Sequence, residues 1–148
     1  MRPCLRNSKT SLAVMVPADL IIWQKSMELA KKVYVVVKLL PKEELYALSD
    51  QIRRSVVSIP SNIAEGCARE SKSEMTYFLR IAKGSAAELE TQLLLCLNIG
   101  YLKKQDLEPL ISLLDEISRM LRSLMKPMRS NPKNRRSYPA NSELVTSN

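Results

Sequence analysis

The residues of this chain that could do acid–base or nucleophilic chemistry are carboxylates and thiols, because the sequence contains no histidine. Without imidazole, the commonest general base and metal ligand at neutral pH is missing. Neighbouring acids such as Glu43–Glu44 and Asp115–Glu116 point in different directions on a helix, which is typical of a solvated face. Glu65 and Glu88 are better candidates for a catalytic pair, but no sequence pattern places them in a common cleft. We therefore predict a protein that is not an enzyme and has no catalytic residues, metal site or cofactor.

The cysteines and the hydropathy pattern indicate a cellular compartment. Cys4, Cys67 and Cys96 form no Cys-x-x-Cys pair, and an odd number does not suit a closed disulfide framework. We expect Cys67 and Cys96 to be small core or near-core residues. The apolar run Leu12–Val16 imitates a signal peptide only weakly, because it is short and ends at Pro17. No run approaches the roughly 20 apolar residues needed to span a bilayer, so we predict a cytoplasmic protein without membrane contact.

Basic side chains are the remaining functional candidates, and the phosphates of RNA or DNA are the groups they would attract. The formal net charge of +8 comes mainly from the two ends of the chain. Residues 1–18 carry three basic residues and no acid, and residues 126–148 carry five basic residues and one acid, whereas residues 19–125 are nearly neutral. The candidate phosphate-binding residues are Lys25, Lys31, Lys32, Arg53, Arg54, Arg69, Lys72, Arg80, Lys83, Arg129, Lys133, Arg135 and Arg136.

Each basic group also has a simpler interpretation. Arg53 lies on the flank of an apolar stripe, so it is equally suited to pairing with an acid across a subunit contact. The lysines of the first helix alternate with Gln24 and Glu28, which is typical of a solvated face. The basic ends could act only as solubilising tails.

Helical periodicity in four segments predicts an all-α fold. The apolar stripes are, in order, Leu20, Trp23, Met27, Ala30, Tyr34 and Val37; Leu45, Leu48, Ile52, Val56, Ile59 and Ile63; Met75, Phe78, Ala82, Ala86, Leu89, Leu93 and Cys96; and Leu107, Leu110, Leu114, Ile117, Leu121 and Leu124. Four helices with short connections form an antiparallel bundle. We assign residues 19–125 to the bundle, and residues 1–18 and 126–148 to disordered basic ends.

The ends of these helices carry local signals. Asp19 is a candidate N-cap for the first helix, Pro41 opens the second, and Ser71 or Ser73 opens the third. Pro60 interrupts the second stripe, but the stripe stays in phase, so we predict one helix with a kink there. Asn62 and Glu65 have capping-box spacing after the proline.

A second apolar stripe predicts contact with another copy of the chain. Its members lie off the core face of the second and third helices, and they are Tyr46, Val57, Ala64, Tyr77, Ile81 and Leu95. The alternative is a wide core face with scattered exposed apolar residues.

Three stretches resemble a known family. These are Asp19-Leu20 with Trp23-Gln24-Lys25, then Gln51-Ile52-Arg53-Arg54, and most specifically the segment 58–66, Ser-Ile-Pro-Ser-Asn-Ile-Ala-Glu-Gly. They are similar to the bacterial four-helix-bundle proteins known as 23S rRNA intervening-sequence proteins. The resemblance covers residues 19–125 and implies a homo-pentameric barrel without enzymatic activity. A more distant similarity, to the accessory variability determinant of diversity-generating retroelements, implies nucleic acid and a reverse transcriptase as partners.

Together these patterns predict a non-enzymatic, homo-oligomeric interaction module that binds RNA or DNA through phosphate contacts. The alternative is a protein-binding scaffold or accessory subunit for a reverse transcriptase or another nucleic-acid enzyme.

Overall fold

The computed structural model describes residues 20–126, and within them it contains helices and turns but no strand. The helices are α1 (Ile21–Val36), α2 (Leu48–Cys67), α3 (Lys72–Asn98) and α4 (Lys104–Met125), with two short 3₁₀ turns at Val37–Leu39 and Lys42–Glu44. The predicted all-α fold with four helices is confirmed. The predicted basic ends and the candidate cap Asp19 lie outside the described residues, except Lys126, which is the C-cap of α4.

The helices are arranged in a ring in chain order. Each one packs against its sequence neighbours, and α4 closes the ring against α1. Ser55 of α2 bonds to Gln92 of α3, and three residues later Ser58 meets Ser85, so these two helices run in opposite directions. The start of α1 and the end of α4 line one common groove, at Leu20–Ile22 and Met120–Leu124. We call this side, where α1 and α3 begin and α2 and α4 end, the terminal end of the bundle.

The leucine repeat of α4 fills the core largely as its spacing predicts. Leu107, Leu114 and Leu121 are buried. The last predicted member, Leu124, is instead partly exposed, and Met125 is buried in its place. A straight α-helix has 3.6 residues per turn, so a seven-residue repeat drifts around its axis.

The prediction of which face of α1 packs into the core was wrong for the middle of the helix. The buried side chains of α1 are Ile22, Ser26, Leu29 and Val33, whereas Trp23 is half-buried and Tyr34 is exposed. The apolar arc of α1 is wide enough to fit either orientation. Packing against α2 and α4 decides between them.

The start of α2 was also predicted too early. The residues after Pro41 form a separate 3₁₀ turn, and the helix begins at Leu48. Glu44 explains this arrangement, because its carboxylate accepts hydrogen bonds from the Leu48 backbone N–H at 3.3 Å and from the Tyr101 hydroxyl at 3.2 Å. The hydrogen bond to Glu44 raises the pKa of Tyr101. Glu44 thus joins the α1–α2 connection to the α3–α4 connection.

The segment 58–66 packs against α3. Ile59 and Ile63 are fully buried, and Ser58 bonds to Ser85 across the contact. The helix continues through Pro60, so the prediction of one helix is confirmed, and its kink stays a prediction. The predicted capping box does not form, because the Asn62 amide donates to Ser58 and the Glu65 carboxylate pairs with Arg69.

The start and end of α3 have clear local causes. Ser71 is the N-cap of α3, and its hydroxyl accepts a hydrogen bond from the Glu74 N–H at 3.1 Å. Of the two predicted starts, Ser71 and Ser73, the first is therefore confirmed. After the helix, Gly100 adopts a φ of +83°, which side chains with a Cβ rarely adopt. The Tyr101 N–H then bonds to the Cys96 carbonyl at 2.8 Å and closes the helix end.

Cys96 is a core residue, as predicted, and Cys67 is half-buried. Burial raises the pKa of the Cys96 thiol to about 11, and the nearby Glu44 carboxylate adds to this rise. The thiol is therefore protonated at neutral pH.

A pair of glycine substitutions tests the contact between α2 and α3. A Cβ at Gly66 would lie 3.2 Å from the Met75 carbonyl oxygen and from Phe78 Cβ, whereas a Cβ at Gly84 meets nothing within 4 Å. We expect Gly66→Ala to lower the free energy of unfolding by about 1–3 kcal/mol through overpacking. Gly84→Ala should raise it by about 0.5–1 kcal/mol, because alanine is the better helix former.

The measurement is urea denaturation followed by circular dichroism at equal chain concentration. A Gly66→Ala protein as stable as Gly84→Ala would contradict the close contact.

Candidate nucleic-acid interface

Four of the predicted phosphate-binding residues are paired with acids. Lys25 bonds to Glu116 at 3.0 Å and links α1 to α4. Three pairs lie within one turn of a helix and are partly exposed: Lys32–Glu28 at 2.8 Å, Arg54–Asp50 at 2.7 Å, and Arg69–Glu65. The hydrogen bond from Lys32 lowers the pKa of Glu28. These acids partly cancel the charge that the four cations would offer to a phosphate.

Arg53 and Arg54 line a shallow groove between α1 and α2. Its volume is about 410 Å³, and its walls include Tyr34, Val57 and Asp50. The Arg53 guanidinium lies 6.0 Å from the centre of the Tyr34 ring, at the outer limit of a cation–π contact. The apolar spacing of α1 predicts Tyr34 on the core face, so the exposed ring of Tyr34 beside Arg53 was not predicted.

A second basic surface lies at the terminal end, where α3 and α4 run side by side. The first half of α3 supplies Lys72, Arg80 and Lys83, and the last turns of α4 supply Arg119, Arg122 and Lys126. Within the described residues, none of these six forms an ion pair. Glu74 is the one acid on the same stretches of chain.

Part of this surface is a small cavity, which we call the basic cleft. It is lined by Lys83, Arg122, Met125 and Lys126, and its volume is about 150 Å³. Of the four lining residues, the sequence analysis had proposed Lys83 alone. Arg122 and Lys126 are four residues apart and off the leucine stripe, and this spacing was the signal that could have revealed them.

The remaining predicted cations occupy other positions. Lys31 is exposed on α1, and it has no ion pair with a described residue. The tail residues Arg129, Lys133, Arg135 and Arg136 lie outside the described residues. The predicted cations therefore do not form one site. Arg53 and Arg54 line the α1–α2 groove, and Lys72, Arg80 and Lys83 belong to the basic surface of α3 and α4. The other predicted cations among the described residues lie in neither place.

The predicted interface residues are largely solvent-exposed in the single chain. The exposed fraction is 91% for Tyr46, 60% for Tyr77, 46% for Leu95 and 42% for Val57, and Ala64 and Ile81 are half-buried. Val57 lies in the groove with Arg53. Tyr77, Ile81 and Leu95 follow one another on α3 at helical spacing and share one face of that helix.

No group of three potential metal ligands occurs among residues 20–126. In the same residues, no helix is both long and apolar enough to cross a membrane.

The comparisons with known proteins agree with the architecture described above. A sequence profile described as "23S rRNA-intervening sequence protein" matches residues 18–123, which include almost the whole bundle. This chain belongs to that family. A solved structure from Bacteroides thetaiotaomicron, a protein of unknown function from the S23 ribosomal protein family, is similar at 30% sequence identity and a TM-score of 0.67. The match covers 72% of this chain and 99% of that one. No curated protein matches the chain.

Membership in the intervening-sequence protein family confirms the resemblance found in the sequence. The matched residues contain both the α1–α2 groove and most of the basic surface of α3 and α4. The basic ends of the chain lie almost wholly outside the match.

Proposed function

We propose that this intervening-sequence family protein is a non-enzymatic, homo-oligomeric module that binds RNA or DNA through phosphate contacts. The observation that carries the proposal is the basic surface of α3 and α4. There, Lys83, Arg122 and Lys126 line one cavity, and Lys72, Arg80 and Arg119 lie on the same stretches of the two helices. None of the six has an ion-pair partner among the described residues.

The charge of this surface results from the antiparallel packing of two polarised helices. In α3 the three cations precede Glu88 and Glu90, with Glu74 lying among the cations. In α4 Arg119 and Arg122 follow all four acids, and one cation, Lys104, precedes them. Because the two helices run in opposite directions, their basic halves are side by side and their acidic halves are side by side. Cations grouped in this way attract phosphates and release the counterions condensed on them.

The points where the bundle meets the rest of the chain support the same surface. Residues 1–19 join the bundle at Leu20, and residues 127–148 join it at Lys126, both at the terminal end. The two sequence segments with the largest excess of positive charge are therefore attached on the same side as the basic surface.

Self-association is supported by the exposed apolar side chains. Tyr77 and Leu95 share one face of α3, and Val57 lies on a different patch beside Arg53. Two different patches on one chain suit a head-to-tail contact, which forms a closed ring when the rotation between neighbours closes. The pentamer implied by the family resemblance is one such ring.

A second candidate function uses the same apolar side chains. If they take a different protein instead of a second copy, the module is a scaffold or accessory subunit for a reverse transcriptase or another nucleic-acid enzyme. The exposed Tyr46 and Tyr77 favour contact with a protein, either a second copy or a different protein, because tyrosine is enriched in protein interfaces.

A titration with a fluorescent single-stranded RNA and a DNA duplex tests nucleic-acid binding. We expect anisotropy to rise at low salt, and the logarithm of affinity to fall linearly with the logarithm of salt concentration. Deletion of residues 127–148 removes four basic residues and one acid and should make that slope shallower. No binding of either probe at low salt would eliminate the proposal, and an unchanged slope after deletion would assign the contacts to the bundle alone.

Light scattering tests self-association, with two adjacent leucines as matched variants. We expect a particle of several times the chain mass of 16.8 kDa. Leu95→Glu should dissociate it because a carboxylate would be buried in the contact. Leu94 has a similar exposed fraction, 41% against 46%, but points about 100° away, so Leu94→Glu should leave the particle intact. A monomeric wild-type protein would refute self-association and favour a different protein partner.

A further inference from the structure

The basic cleft of Lys83, Arg122, Met125 and Lys126 is built by two helices. Lys83 comes from α3, whereas the other three come from the last turn of α4 and its C-cap. Met125 is buried and contributes an apolar wall between the two helices. Both helices are held by core packing, through Ala82 and Ala86 on α3 and Leu121 on α4. The three cationic side chains are therefore attached to backbone that the fold holds in place.

The charges in the cleft are not neutralised by the described residues. Neither Lys83 nor Arg122 nor Lys126 has an ion pair among them, in contrast to Arg54 in the α1–α2 groove, which pairs with Asp50. The C-terminus of α4 contributes a partial negative charge of about half an elementary charge. This favours Arg122 and Lys126 in their positions, but it is smaller than the charge of three cations, so the cleft remains attractive to an anion.

The size of the cleft limits the ligand. At about 150 Å³, it is smaller than the 300–1,000 Å³ typical of small-molecule sites. It has room for a tetrahedral oxyanion. Arginine presents a planar fork that binds two phosphate oxygens at once, and lysine acts as a point charge.

We propose that the basic cleft binds one phosphate group of a nucleic-acid strand and thereby sets where the strand crosses α3 and α4. This inference rests on the proposed function. It adds a specific site to a general electrostatic attraction, and it assigns Arg122 and Lys126 a role alongside Lys83.

The test compares two double variants that remove the same amount of charge. Lys83→Gln/Arg122→Gln empties the cleft of two cations. Lys38→Gln/Lys42→Gln removes two exposed cations from the connection between α1 and α2, at the opposite end of the bundle and outside the basic surface. Anisotropy titrations with the same single-stranded RNA should show a loss of about tenfold or more for the cleft variant and under about threefold for its control. The salt slope of the cleft variant should fall by about 0.7, the value for one phosphate on a single strand.

Equal losses for the two double variants would overturn the inference, because a diffuse field depends on the number of charges and not on their placement. The proposed function would survive that result. It fails instead if the wild-type protein binds no nucleic acid at all.

A second probe, inorganic phosphate, tests the cleft independently of nucleic acid. Thermal unfolding is compared in phosphate and in chloride at equal ionic strength. We expect phosphate to raise the melting temperature of the wild-type and control proteins by about 2 °C or more and to leave the cleft variant unchanged. The same comparison shows whether each variant is folded. Equal stabilisation of all three proteins would overturn the cleft as a phosphate site.

Discussion

The close contact between α2 and α3 is the constraint on which the rest of the bundle depends. This contact contains two side-chain hydrogen bonds, one between Ser55 and Gln92 and one between Ser58 and Ser85. Gly66 allows the backbone of α3 to approach closely at its far end. These polar and small residues fit together in one register only, because a shift would leave buried polar groups without partners. The register of α2 on α3 then determines which side chains of α3 remain for α4.

Antiparallel packing of α3 and α4 explains how a nearly neutral bundle acquires a basic surface. The second half of α3 contains acids and no cation, and the last two turns of α4 contain cations and no acid, but each helix alone has little net charge. Antiparallel packing places the basic part of α3 beside the basic part of α4, so the basic surface exists only when the two helices are packed together. The α1–α2 groove shows the opposite case, since Arg54 and Asp50 come from the same helix and pair within one turn.

Much of the fold could be predicted from the sequence, because helical spacing, Ser71 as a cap and Gly100 as a terminator act locally. The predictions that failed depended on contacts between distant residues. Glu44 delays the start of α2 by binding Leu48 and Tyr101, and the sequence offers no sign of the second partner. The candidate site was predicted less completely. Lys83 was proposed, but Arg122 and Lys126 belong to the site only because α4 ends beside it.

Four amphipathic helices, a continuous α2 through Pro60, and the segment 58–66 that marks the family are encoded locally in the chain. These features follow from periodicity and backbone chemistry within a few residues. The tertiary structure alone decided which part of the wide apolar arc of α1 faces the core, and which cations stand together. Both depend on the side chains that a neighbouring helix presents, and spacing along one helix contains no information about them.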